Sequence, residues 1–149
     1  GKKEGRVPEI DLESEKKVQG FLLSQISNGS VRAAHDVSEG GLLVALSEML
    51  FENPDLGLSA SFDSLGESGS LAALLFGESQ GRVLVSVSPV HESALLEEAG
   101  KVGLQAHLVG KTNSSGCMKV SVDGREVLDA RVSDLHETWA QSIPSMMSQ

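Results

Sequence analysis

Along this chain, segments with apolar residues at helical spacing alternate with short branched or alternating runs, and no other feature restricts the fold as much. From Asp11 to Asn28, Leu12, Val18, Leu22 and Ile26 recur at helical spacing, with Asp11 placed as an N-cap and Gly29 as a stop. A short strand, Val31–Ala34, then runs into the polar stretch His35–Gly41. A helix over about Leu42–Phe51 is apolar round most of its circumference, which predicts burial on more than one side, and Asn53-Pro54-Asp55 ends it. Leu56–Phe62 alternates as a half-buried strand does, Asp63–Ser70 is a loop of Gly, Ser and acids, and Leu71–Phe76 is a short apolar helix. Val83–Val87 reads as a strand, and Ser88-Pro89 starts a helix whose stripe is Ala94, Leu95, Ala99 and Val102, stopped at Gly103. Leu104–Val109 is a further expected strand, and Met118–Val122 and Arg125–Leu128 flank the hairpin signal Asp123-Gly124. The last helix spans about Ser133–Ser142 and carries Leu135 and Trp139.

This order predicts an α/β sandwich with a mixed, largely antiparallel sheet flanked by helices. Residues 1–8 read as a linker or cut edge, 9–142 as one domain, and 143–149 as a flexible tail. A chain of 149 residues buries about 70% of its unfolded surface, so a core can form without staples. With aromatics at 3%, that core is built from Leu, Val, Ala and Met, and platforms for stacking bases are missing.

The net charge of −9 argues against nucleic acid or an anionic membrane as partner, because both need a basic contact surface. A phosphorylated metabolite needs only a few local donors and stays open. Cys117 is the single cysteine, which points to a reducing cytoplasm. No apolar run approaches the roughly 20 residues of a membrane span, and the first residues do not resemble a signal peptide.

Two loops carry residues suited to chemistry. In His35–Gly41, Ser38 can cap the following helix, and Gly40 and Gly41 let a ligand approach backbone N–H groups at a helix start. Asp36 and Glu39 would satisfy the same terminus without a ligand and repel a bare phosphate, so a capped turn is the alternative. In Gly77–Arg82, Arg82 could grip a phosphate through two hydrogen bonds, Ser79 could donate to it, and Glu78 would accept from ribose hydroxyls. The alternative is a polar helix-to-strand turn in which Arg82 pairs with an acid. The loops share one end of a sheet only if Val31–Ala34 and Val83–Val87 run antiparallel. His35 suits a hydrogen bond to a backbone carbonyl, and His91, His107 and His136 form no ligand set with it. Cys117 lacks the strand–elbow–helix setting of a nucleophile.

The run Ala33-Ala34-His35-Asp36-Val37-Ser38-Glu39-Gly40-Gly41-Leu42 resembles a segment of the formylglycinamide ribonucleotide amidotransferase family, with Glu39 where Asp is usual. Phe76-Gly77-Glu78-Ser79-Gln80-Gly81-Arg82 resembles that family's second signature, and Pro8–Leu12 and the Leu135/Trp139 pair also match its pattern. The resemblance implies a C-terminal α/β domain of the kind shared with aminoimidazole ribonucleotide synthetase. It implies an ATP-dependent ligase of purine synthesis, in which the substrate amide oxygen becomes an iminophosphate and glutamine-derived ammonia displaces phosphate. The chain resembles the second of two such domains in one polypeptide and lacks the ATP-binding half, the catalytic histidine and the magnesium-binding acids. It follows that ATP and Mg are bound mainly by other domains, and that the piece alone is expected to hold no cofactor or metal and to be inactive. The implied partners are the ATP-binding domain of the same polypeptide, a glutaminase subunit or domain, and formylglycinamide ribonucleotide. The candidate substrate or phosphate contacts are Ser38, Gly40, Gly41, Glu78, Ser79, Gln80 and Arg82, with no catalytic residue among them. The resemblance implies that Glu78-Ser79-Gln80 is the counterpart of a substrate-binding stretch in the first copy, lining an auxiliary nucleotide side or kept as a structural relic. A stand-alone nucleotide-binding regulatory module, or the C-domain of a related synthetase, is the other reading.

Overall fold

The computed structural model describes residues 10–63 and 70–147. The expected linker over 1–8, the matched Pro8-Glu9, most of the Asp63–Ser70 loop and the last two tail residues lie outside them. The elements run α1 (Leu12–Ser27), β1 (Val31–Asp36), α2 (Gly41–Glu48), β2 (Gly57–Phe62), α3 (Leu71–Phe76), β3 (Val83–Val87), α4 (Pro89–Lys101), β4 (Gly110–Asn113), β5 (Cys117–Val122), β6 (Arg125–Arg131) and α5 (Val132–Met147). Helices and strands follow one another in the expected order. The chain divides into two compact units, one made of residues up to Gly41 with Glu78–His107, the other of Leu42–Gly77 with the residues from Leu108 on.

In the first unit, Asp11 caps α1 by accepting from the Glu13 and Ser14 amides at 3.0 and 3.3 Å, while its second oxygen accepts from the Ser14 hydroxyl at 2.7 Å. The Ser14 hydroxyl first, and then the Ser14 and Glu13 amides, lower the Asp11 pKa from the ordinary carboxylate value. Because the folded-state pKa is the depressed one, the cap stabilises α1 above the ordinary carboxylate range and is lost as pH falls through the lowered value. Asp11→Asn is therefore expected to flatten the acid limb of α1 stability, read as helical circular dichroism against pH. An unchanged acid limb would remove Asp11 from that role. Gly29, at φ 78°, turns the chain after the Asn28 C-cap.

β1 and β3 pair antiparallel, with Ala34 opposite Val85, His35 opposite Leu84 and Asp36 opposite Val83. Val31, Val37, Leu84, Leu95 and Ala99 are buried in this unit. Gln25, only 4% exposed, joins α1 to α4 by donating to the Glu98 carboxylate at 2.6 Å. Pro89 opens α4 at a position where its missing N–H costs nothing.

In the second unit the strand order is β4-β2-β5-β6, with β2 and β5 parallel and the other pairs antiparallel. Alternation sends Leu58, Ala60 and Phe62 of β2, and Met118, Val120 and Val122 of β5, to the buried face. Ser47 of α2 reaches that face, its hydroxyl 3.4 Å from the Met118 sulfur. Asp123 and Gly124 both have positive φ, 49° and 73°, as a two-residue hairpin turn requires.

Mixed α/β character and a largely antiparallel ladder are as expected, but the strands form a two-stranded and a four-stranded sheet. The expected strand Leu104–Val109 is not regular; β4 begins at Gly110 instead. A Cβ at Gly110 would lie 2.5 Å from the Ser59 carbonyl and 2.9 Å from the Ala60 Cα. Backbone proximity to β2, available at a glycine, fixes where that ladder starts; apolar alternation does not. α2 stops at Glu48, before the expected Phe51, and α5 runs to Met147 with Pro144 inside it.

Candidate substrate and phosphate site

Antiparallel pairing puts the loop that follows β1 and the loop that precedes β3 at the same end of the two-stranded sheet. The condition set by the sequence is met. The Val37 N–H donates to the Arg82 carbonyl at 2.9 Å, extending the ladder by one step beyond Asp36 and Val83. The Gly40 N–H donates to the Glu78 carboxylate at 3.0 Å, so the two loops are tied side chain to backbone. Gly40, Gly41 and Gly81 all adopt left-handed backbone, at φ 78°, 74° and 72°. That region costs an L side chain roughly 1–2 kcal/mol, which accounts for glycine at these turns.

Each expected site residue has a definite place. Ser38 contributes its carbonyl, which accepts from the Gly41 N–H at 3.2 Å. Ser38, Glu78, Ser79 and Gln80 are exposed, Gly40 and Arg82 half-buried, and Gly41 buried. Partial burial of the Arg82 guanidinium lowers its pKa by desolvation, though an arginine stays charged at any physiological pH. A guanidinium with part of its water stripped away bonds an anion more strongly than a fully hydrated one.

Sequence reasoning missed Glu15. Its carboxylate stands about where a side chain at Gly81 would begin, 3.0 Å from a Cβ built there. Nothing local in the sequence links α1 to that turn. The two loops thus carry Asp36, Glu39, Glu78 and Arg82 in sequence, and Glu15 of α1 comes close to Gly81. An amide that could hold a phosphate oxygen, that of Gly40, is held by a carboxylate instead. Carboxylates in such loops can accept hydrogen bonds from hydroxyl and amide N–H groups. His35 Nδ1 lies 2.7 Å from the Asp36 carbonyl, which can only accept, so Nδ1 carries the proton. Among the described residues no three His, Cys, Asp or Glu side chains gather as a metal centre.

The family described as AIR synthase related protein, C-terminal domain, matches residues 1–123. The chain belongs to this family. Among relatives of this AIR synthase related domain, the phosphoribosylformylglycinamidine synthase subunit PurL of Corynebacterium ammoniagenes is 36% identical over 143 residues. That alignment covers 96% of this chain and 17% of the relative. A structure of Thermotoga maritima PurL complexed with FGAR is 28% identical with a TM-score of 0.78, covering 91% of this chain and 23% of that one. Another, of PurL complexed with ATP, is 27% identical with a TM-score of 0.73, covering 81% and 21%. The chain spans less than a fifth of the length of the curated relative. Kinship with the amidotransferase, expected from two short motifs, is borne out along nearly the whole chain.

Proposed function

We propose that this chain serves as the substrate-side C-terminal domain of a phosphoribosylformylglycinamidine synthase, the ATP-dependent ligase of purine synthesis. That enzyme converts formylglycinamide ribonucleotide, glutamine-derived ammonia and ATP to formylglycinamidine ribonucleotide. The observation that carries the reading is the likeness to PurL across 96% of the chain, in which both glycine-bearing loops fall. Their convergence at one end of the β1–β3 pair supports it.

On this reading Glu78 accepts from ribose hydroxyls, and Arg82 takes the substrate phosphate. Ser79 and Gln80 orient the ligand, and Ser38, Gly40 and Gly41 shape the backbone that it approaches. ATP, which supplies the phosphoryl group that activates the amide oxygen, is held mainly by polypeptide outside this chain. The partners are the ATP-binding domain of the same polypeptide and a glutaminase subunit or domain, and the setting is the cytoplasm. No helix among the described residues is long and apolar enough to cross a membrane.

The test is an assay of amidine formation with formylglycinamide ribonucleotide, ammonia and Mg-ATP. The 149-residue chain alone is expected to give none, and the longer polypeptide containing it to turn over. Turnover by the chain alone overturns the reading. Micromolar binding of ribonucleotides or ADP by the chain alone, seen by calorimetry, favours a stand-alone binding module instead.

A further inference from the structure

In α5, Val132, Leu135, Trp139, Ile143 and Met146 recur at spacings of three and four and so share one stripe of the helix. The stripe is seated at its start. Val132 is fully buried, and its N–H donates to the Gly116 carbonyl at 2.9 Å. His136 stacks on Phe51 with centroids 4.8 Å apart, and Trp139 tilts against the same ring at 5.6 Å. Beyond Trp139 the stripe continues bare, with Ile143 64% and Met146 68% exposed, and the adjoining Met147 82%. Pro144 removes a helical donor in this outer half, and the Ser142 and Ser145 hydroxyls bond back to the Trp139 and Ser142 carbonyls. An amphipathic helix draws its stability from the surface it packs on, and here the outer turns have little beneath them.

We propose that the outer half of α5, centred on Ile143 and Met146, is a docking face for the remainder of the longer polypeptide. The inference rests on the functional reading above. The best-matched part of the Corynebacterium ammoniagenes subunit is 17% of its length, so most of such a polypeptide lies outside this chain and has to meet it somewhere. Aliphatic and Met side chains, without charge between them along the stripe, suit the dry centre of a permanent contact rather than a transient, polar one. The contact continues a stripe that the fold already buries at Val132 and rests on Phe51 at Trp139, so the helix needs no rearrangement to be covered.

Hydrogen exchange of the Ala140–Met147 amides decides the matter, measured in the 149-residue chain and in the longer polypeptide. Exchange is expected to be fast in the chain and at least about tenfold slower in the longer polypeptide. Equal rates overturn the proposal, and no substitution is needed to see them. As a second measurement, the double substitution I143D/M146D is expected to leave the unfolding midpoint of the chain within about 2 °C, because little contact is lost. In the longer polypeptide it should lower the midpoint by several times that shift; no added shift there counts against docking. Sedimentation completes the set: a dimer of the chain that I143D/M146D dissociates gives the face to a second copy and overturns the proposal. Amidine turnover is read separately. Protected α5 amides without turnover sink the functional reading and leave the docking face standing; turnover with unprotected amides does the reverse.

Discussion

In the longer polypeptide, Arg82→Ala is expected to raise the KM for formylglycinamide ribonucleotide by roughly 10- to 100-fold, with a smaller change in kcat. Hydrogen bonds to charged groups contribute about 1.5–3 kcal/mol, and each 1.4 kcal/mol is a tenfold change in affinity. Arg82 is half-buried beside the loop that follows β1, so its bonds to an anion are less diluted by water than those of a surface lysine. Arg82→Lys keeps the charge and loses the planar fork, and an intermediate KM is expected. The bond that joins this residue to Val37 uses the Arg82 backbone carbonyl and survives the change. Steady-state kinetics with the unfolding midpoint recorded alongside gives the answer. An unaltered KM in a folded variant takes Arg82 out of the site.

The largest expected loss of stability follows Met118→Ala. Met118 is fully buried at the middle of the four-stranded sheet, opposite Leu58 on one side and Ala130 on the other. Truncating such a side chain costs about 2–5 kcal/mol through lost burial and the cavity left behind. For a chain of this size that lowers the unfolding midpoint on the order of 10 °C, measured by thermal or urea denaturation. Ser47→Ala should cost much less, because the hydroxyl bonds chiefly to the Leu43 carbonyl of its own helix, at 2.9 Å. A loss under about 1 kcal/mol at Met118 would mean that the surrounding side chains collapse into the space.

Features decided within a few residues were legible in the sequence. Asp11 caps α1, Ser88-Pro89 opens α4, and Asp123-Gly124 turns the hairpin, each by chemistry confined to its own segment. β4 was not legible, because its start depends on Gly110 meeting Ser59 and Ala60, some fifty positions earlier. The partition of strands into two sheets has the same origin: apolar alternation says which face of a strand is buried but not which strand it joins. At the site, composition marked both loops, and the antiparallel condition was stated but could not be decided from the sequence. The Glu78 carboxylate on the Gly40 amide and the approach of Glu15 to Gly81 are tertiary facts without a local signal. The last helix, expected to end near Ser142, runs on to Met147 with Pro144 inside it.

The parallel pairing of β2 with β5 has a consequence for synthesis on the ribosome. β2 leaves the exit tunnel long before either neighbour: β4 follows after the whole of α3, β3 and α4, and β5 later still. Until then Leu58, Ala60 and Phe62 sit on a strand with both edges open, the kind of segment that chaperones capture and that aggregates when none is at hand. A nascent chain that terminates anywhere before Cys117 would leave β2 without that partner, so early stop codons should yield insoluble product rather than a smaller soluble domain.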